Sequence, residues 1–75
     1  MMSFEKAKRI AEAINTGDGR NYGKFVTAQD VLTSHRVQLV GDSTGHEVYA
    51  FQFGDLTCIA NYRGPEDIGV QFARW

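Results

Sequence analysis

The sequence contains one cysteine, Cys58, and one proline, Pro65, in 75 residues. A lone thiol cannot form an internal disulfide, and secreted domains of this size usually need such cross-links. It also cannot supply the paired cysteines that are typical of a structural zinc site. We therefore predict a protein of the reducing cytoplasm, in which Cys58 is a small buried hydrophobic residue.

An excess of charge and a long hydrophobic run are also lacking. Eight Lys and Arg balance nine Asp and Glu, giving a net charge of -1 that supplies no long-range attraction for nucleic acid or an acidic membrane. No segment approaches the roughly 20 apolar residues that span a bilayer. The first residues become charged at Glu5 and Lys6, so we expect no signal peptide. Nucleic-acid and membrane partners are therefore disfavoured.

Hydrophobic residues nevertheless make up 43% of the chain, including five Phe, three Tyr and one Trp. Disordered chains are short of such residues, so this composition predicts a folded protein. A chain of this length has room for one core only. We therefore predict that residues 1–75 form a single small domain.

The clearest local pattern is a predicted β-hairpin around Gly54 and Asp55. The alternating runs EVYAFQF and LTCIANY flank this dipeptide, and a glycine in the first position suits a two-residue type II′ turn. Such a turn fixes which residues lie opposite each other on one face of the sheet. The predicted pairs are Phe53 with Leu56, Phe51 with Cys58, and Tyr49 with Ala60.

Helical spacing appears near the start of the chain. Ser3 can cap an amphipathic helix there, and Gly17 can end it in a left-handed conformation. Thr27 and Asp30 have the spacing of a capping box and indicate a short second helix, although the β-branched residues nearby suit a strand nearly as well. The apolar stripe of the first helix comprises Phe4, Ala7, Ile10, Ala11 and Ile14.

Two further strands are predicted on either side of the hairpin, at residues 36–40 and 70–75. A three-residue loop with Gly45 left-handed would join the first of them to the hairpin. A turn at residues 64–67 would precede the last. The predicted pairs are Val40 with Val48, Leu39 with Tyr49, Val37 with Phe51, Val70 with Tyr62, and Phe72 with Ala60. The predicted fold class is α+β, with an N-terminal amphipathic helix, and room for a short second one, packed on a four-stranded antiparallel β-meander.

The sequence departs from the common motifs for cofactors and metals. The glycine-rich segment 15–24 follows a helix, has one residue too many for a phosphate-binding loop, and has Phe25 in place of the required hydroxyl. Asp18 is its only acid, which is too few for calcium. His35, His46 and Cys58 lack the paired spacing of zinc ligands. We predict no cofactor, no metal and no catalytic residue.

The second face of the predicted sheet is half apolar, which is unusual for a face exposed to water. It could be covered by the segment that carries Tyr22, Phe25, Val26, Val31 and Leu32, by a second copy of the chain, or by a partner protein. Trp belongs to the residue types enriched at binding hot spots. The predicted partner-binding residues are Val40, Val48, Ala50, Gln52, Ile59, Gln71 and Trp75.

The sequence as a whole favours a non-enzymatic protein-binding module whose partner is another protein or a second copy of itself. By analogy, it could act as an inhibitor or adaptor of the kind that phages and mobile elements carry. Two alternatives stay open. A nucleic-acid-binding module would use Lys6, Lys8, Arg9, Arg20 and Lys24, and a small enzyme or enzyme subunit would join Asp42, His46 and Glu47 to a hydroxyl group.

Overall fold

The computed structural model describes residues 2–17, 25–41 and 43–74, without the side chains of residues 35–40 and 74. Within these ranges two helices precede four strands, and the fold is a small α+β arrangement with an antiparallel sheet in the order β1-β2-β3-β4. The elements are α1 (Phe4–Thr16), α2 (Ala28–Ser34), β1 (His35–Gly41), β2 (Glu47–Phe53), β3 (Leu56–Gly64) and β4 (Asp67–Arg74).

Helix α1 begins where the sequence predicts. The hydroxyl of Ser3 accepts a hydrogen bond from the backbone N–H of Lys6 at 3.1 Å, which satisfies one of the donors left free at a helix start. Four of the five stripe residues are buried, whereas Phe4 is exposed. The helix therefore packs through the face that its 3.6-residue periodicity defines.

Gly17 ends α1, but the prediction that it is left-handed is wrong. Its φ is -86°, and its N–H bonds to the carbonyl of Ala13 at 3.0 Å. A Cβ atom at this position would lie 3.0 Å from Cγ2 of Val70 and 3.2 Å from the oxygen of Ala13. The glycine thus allows the end of α1 to approach β4 closely, without the left-handed φ that the sequence predicts.

The capping box of α2 is confirmed. The N–H of Asp30 donates to the Thr27 hydroxyl at 3.1 Å, and the N–H of Thr27 donates to the Asp30 carboxylate at 2.9 Å. This reciprocal pair satisfies two backbone donors and selects the helix over the strand alternative. Upstream, the side-chain amide of Asn15 donates to the Val26 carbonyl and accepts from its N–H, at 2.8 and 2.9 Å. These two hydrogen bonds hold the segment that leads into α2 against the end of α1.

The central hairpin is confirmed residue for residue. Phe53 pairs with Leu56, and the register continues without a shift to Glu47 and Tyr62. Gly54 has a φ of 65°, while Asp55 keeps a negative φ, which is the pattern of a type II′ turn. Gly45 in the preceding loop also has a positive φ, at 87°, as predicted.

The regular four-stranded meander that the sequence predicts is wrong in both outer strands. In β1, Val40 does pair with Val48, but register shifts lie between His35 and Val37 and again between Gln38 and Val40. As a result Gln38, not Leu39, lies opposite Tyr49. Each shift places one extra residue on β1, so simple alternation cannot give its register.

Strand β4 begins earlier than predicted and pairs two residues further along. Only Pro65 and Glu66 form the turn, so the strand starts at Asp67 and pairs Val70 with Ala60. Phe72 correspondingly lies opposite Cys58. A shift of two residues preserves the side of the sheet, because side chains alternate with a period of two. Uninterrupted pairing therefore runs through β2, β3 and most of β4, whereas β1 is attached irregularly.

The core lies between the helices and one face of the sheet, which we call the inner face. Val26 and Val31 belong to this core, and Leu32 packs against it. These three residues therefore lie on the inner side, which rules out for them the alternative that their segment covers the opposite face. The buried hydrophobic residues are Met2, Ala7, Ile10, Ala11, Ile14, Val26, Val31, Tyr49, Phe51, Phe53, Leu56, Cys58 and Ala60.

Candidate functional site

The face of the sheet opposite the helices, which we call the outer face, carries most of the predicted partner-binding residues. Strand alternation places every second residue of β2, β3 and β4 there. Its members with described side chains are Val48, Ala50, Gln52, Thr57, Ile59, Asn61, Arg63, Asp67, Gln71 and Ala73. Val40 lies opposite Val48 in the register, but its side chain and the whole of Trp75 lie outside the described residues.

The outer face remains outside the core. Its uncharged side chains on β2 and β3 are half-buried, and Gln71 and Ala73 on β4 are exposed. The charged side chains that the same alternation places on this face, Arg63 and Asp67, lie 4.0 Å apart beside the turn that joins β3 to β4. Within the described ranges, the buried residues of both helices pack on the inner side. The outer face is therefore a partly apolar surface that neither helix covers, with its described charges beside the turn between β3 and β4.

Polar and apolar residues are separated on this face. The hydroxyl of Thr57 donates to the amide oxygen of Gln52 at 2.7 Å, and the amide nitrogen of Gln52 donates to the carbonyl of Gly54 at 2.6 Å. Gln52 is thus engaged near the turn. Ala50 lies directly opposite Ile59, and Val48 lies two residues along β2 on the same face. We call Val48, Ala50 and Ile59 the apolar strip.

A polar cluster on the inner side joins α1 to β2. The ammonium of Lys6 lies 2.6 Å from Oε1 of Glu47, and the hydroxyl of Tyr49 donates to the same oxygen at 2.9 Å. The Lys6 nitrogen also lies 4.8 Å from the ring centroid of Tyr62, within the range of a cation–π contact. About a quarter of each charged side chain is exposed, 25% for Lys6 and 24% for Glu47.

The pKa directions in this cluster agree with its contacts. The hydrogen bond from Lys6, opposed by burial, holds the pKa of Glu47 below its usual value. Burial alone lowers the pKa of Lys6, but its interactions with Glu47 and Tyr49 together raise it. Burial and the bond to Glu47 raise the pKa of Tyr49. At neutral pH the cluster is therefore an ion pair with a protonated phenol, an arrangement that holds the helix to the sheet.

The basic residues of the nucleic-acid alternative are only partly described. Lys6 is engaged by Glu47, and Arg9 lies 3.6 Å from Glu5, whereas Lys8 is exposed. Arg20 and Lys24 lie outside the described residues. The two engaged side chains already have carboxylate partners, which reduces the positive charge available to a phosphate.

The residues of the enzyme alternative are only partly described. Glu47 is held by Lys6 and Tyr49, His46 is half-buried, and Asp42 lies outside the described residues. Cys58 is fully buried, and burial raises the pKa of its thiol to about 12, so the nucleophilic thiolate is scarce at neutral pH.

Metal ligands are not clustered in the part of the chain that the structure describes. There, no three His, Cys, Asp or Glu side chains come close enough to hold an ion. His35 pairs with Phe51, which in turn pairs with Cys58, so the offset of two residues that the predicted register implies is wrong. The two strand steps still separate the backbones of His35 and Cys58 by about 10 Å.

A shallow cavity of about 230 Å³ lies between α1 and the turn that joins β3 to β4. Arg9, Ala13 and Thr16 line it from the helix, and Pro65 and Ile68 line it from the sheet. Sequence reasoning missed this site because the early start of β4 brings Ile68 to the helix. The only signal for it was the short Pro65-Glu66 connection.

Searches of family models, curated proteins and solved structures returned no match to this chain. Among the described residues, no helix combines the length and the apolar character needed to cross a bilayer.

Proposed function

We propose that this chain is a non-enzymatic module of the reducing cytoplasm that binds another protein through the outer face of its sheet. The observation that carries the proposal is the position of the apolar strip, Val48, Ala50 and Ile59, on the side away from both helices. A face of this kind gains free energy when a partner removes its apolar area from water.

The chemistry of the face defines the class of partner. The apolar strip is uncharged, and the described charges of the face, Arg63 and Asp67, lie beside the turn between β3 and β4. Complementarity of charge therefore contributes little at the strip, where a strongly charged partner surface would lose hydration without compensation. The matching surface is an uncharged protein surface with small apolar side chains. An inhibitor or adaptor would use such a contact to occupy or bridge its target.

The contacts and burial of the residues that the two alternatives require favour the proposal over those alternatives. Lys6 and Arg9 have carboxylate partners, and Glu47 is part of the contact that holds α1 to the sheet. The buried thiol of Cys58 is a poor nucleophile. The described side chains of the outer face, in contrast, do not belong to the core.

The test compares three tagged full-length baits in a lysate of the native source. They are the wild type, Ile59→Lys, and Gln29→Lys as the matched control, since Gln29 is exposed on α2. We expect at least one protein to be retained by the wild type and the control but lost from Ile59→Lys, with all three baits giving the same circular-dichroism spectrum. The purified captured protein should then bind Ile59→Lys at least tenfold more weakly than it binds the control.

Two results would overturn the proposal. One is capture and affinity that are equal for Ile59→Lys and the control. The other is loss of the folded spectrum in Ile59→Lys, since that would place the side chain inside the fold.

A further inference from the structure

Three side chains of the sheet lie around the ammonium group of Lys6. Oε1 of Glu47 is 2.6 Å from the ammonium nitrogen, and the ring centroids of Tyr62 and Tyr49 are 4.8 and 5.9 Å from it. Proteins recognise organic ammonium ions with aromatic rings and carboxylates, because the ring faces and the carboxylate both attract positive charge. We call Glu47, Tyr49 and Tyr62 the ammonium cage.

The members of the ammonium cage all belong to the central hairpin. Glu47 lies directly opposite Tyr62 in the uninterrupted register of β2 and β3, and Tyr49 follows on the same face of β2. Tyr49 is buried in the core, and Tyr62 packs against it. The hydroxyl of Tyr49 donates to the Glu47 carboxylate at 2.9 Å, so a second group of the sheet also orients this carboxylate. The ammonium cage should therefore keep its shape when the side chain of Lys6 is removed.

The cation inside the ammonium cage comes from a different element. Lys6 belongs to α1 and precedes Glu47 by 41 positions. Its side chain is 25% exposed and that of Glu47 is 24% exposed, so the contact is in reach of the solvent. Lys6 thus has the position of a ligand that the chain itself brings to a site on the sheet.

We infer that the ammonium cage is a binding site for primary alkylammonium ions, which Lys6 occupies as a tethered ligand. A primary ammonium ion donates to Oε1 of Glu47 as Lys6 does, while its charge lies against the ring of Tyr62. A sodium ion has no N–H to donate, and an alcohol of the same shape has no charge. The native chain uses this site to hold α1 on the sheet.

The variant Lys6→Ala opens the site to a free ligand. It removes the propylammonium part of the lysine side chain, so the n-propylammonium ion has the atoms and the charge to replace it. In the wild type the tethered ammonium is present at a high effective concentration and excludes the free ion. Binding should therefore be a property of the variant that the wild type lacks.

Titration of full-length Lys6→Ala with n-propylammonium chloride, followed by the NMR signals of the Tyr49 and Tyr62 rings, tests this inference. We expect saturable shifts with a dissociation constant between about 1 and 100 mM, since one charge-assisted hydrogen bond and the cation–π contacts supply the binding. Sodium chloride and 1-propanol at the same concentrations should not reproduce these shifts. The wild type should show no saturable shift with n-propylammonium.

Stability supplies a second measurement. A ligand that binds only the folded chain raises its urea midpoint, so n-propylammonium should raise the midpoint of Lys6→Ala above its value in sodium chloride. Lys8→Ala is the matched control, because Lys8 is exposed on the same helix, and its midpoint should respond to n-propylammonium as the wild type does. Adding Glu47→Gln to Lys6→Ala should weaken binding by at least about tenfold, because it replaces a charge-assisted hydrogen bond by a neutral one.

A chain with Lys6→Ala that is unfolded without ligand should regain the wild-type circular-dichroism spectrum in n-propylammonium chloride but not in sodium chloride. Failure to regain it would overturn the inference. So would a folded Lys6→Ala without a saturable shift, an equal response to 1-propanol, or an affinity that Glu47→Gln leaves unchanged. The ammonium cage lies on the inner side of the sheet, so these outcomes are independent of the proposed function of the outer face.

Discussion

The ammonium nitrogen of Lys6 lies 2.6 Å from the carboxylate of Glu47, although the two residues are 41 positions apart. The contact joins the first turns of α1 to the first residue of β2, and Tyr49 donates to the same oxygen. Because the pair is mostly screened from water, it should contribute more to stability than an ion pair on an open surface.

A double-mutant cycle on Lys6→Met and Glu47→Gln measures this contribution. We expect a coupling free energy of about 1 kcal/mol in urea unfolding, since each single change leaves a partly buried polar group without its partner. The control pair is Glu5 and Arg9, which are 3.6 Å apart but have side chains 68% and 41% exposed. Its coupling should be close to zero, and equal couplings for the two pairs would contradict the account.

The same pair makes stability depend on pH. The pKa of Glu47 is lower in the folded protein, so its contribution is present above the unfolded value of about 4.3 and is lost as the pH falls through the folded value. The pKa of Lys6 is raised, so its contribution is present below about 10.4 and is lost as the pH rises through the folded value. The stability advantage of the wild type over Glu47→Gln should therefore be constant from pH 6 to pH 9 and shrink towards pH 3. A stability difference between the wild type and Glu47→Gln that increases as the pH falls would contradict this prediction.

The thiol of Cys58 should report on unfolding. It is fully buried, and burial raises its pKa to about 12. A thiol reagent at pH 8 should label the native chain at the rate of transient opening, and label it at once in 6 M guanidinium chloride. Fast labelling of the native chain, at the rate of a small thiol compound, would show that this part of the core is accessible.

Alanine substitutions at two glycines distinguish the cost of backbone strain from the cost of a steric clash. Gly45 has a φ of 87° with open space around its Cα, whereas Gly64 has open space and no positive φ. Gly45→Ala should therefore lower the free energy of unfolding by about 1 kcal/mol, the cost of a left-handed conformation for an L-residue. Gly64→Ala should change it by less than about 0.5 kcal/mol, because it meets neither strain nor a clash. Urea unfolding of both variants distinguishes these effects, and equal losses would contradict the assignment.

Local signals were enough for the features that depend on neighbouring residues. The type II′ turn at Gly54 gave the whole register of β2 and β3, and the spacing of Thr27 and Asp30 gave the start of α2. In each case the conformation or hydrogen bonding of a few neighbouring residues determines the structure. The amphipathic stripe of α1 likewise identified the residues that it buries.

The outer strands could not be predicted in the same way. The register of β1 contains two extra residues, and nothing in alternation indicates where they fall. The register of β4 depends on a turn of two residues, Pro65 and Glu66, where a longer turn also fitted the sequence. The Lys6–Glu47 contact depends on how α1 crosses the sheet. Strand alternation in the sequence was enough to predict that Val48, Ala50 and Ile59 share the outer face. Only the structure shows that α2 packs on the inner face and leaves them uncovered.

Covalent footprinting of Ile59 tests the central claim most directly, because that claim requires the side chain to be open in the free chain and covered in the complex. Phe25, which is 70% exposed, and Leu56, which is fully buried, are the internal references. We predict that Ile59 in the free chain is labelled between these two, and that binding of the captured partner protects Ile59 but not Phe25. Labelling of Ile59 in the free chain as low as that of Leu56, or unchanged by the partner, would contradict the account.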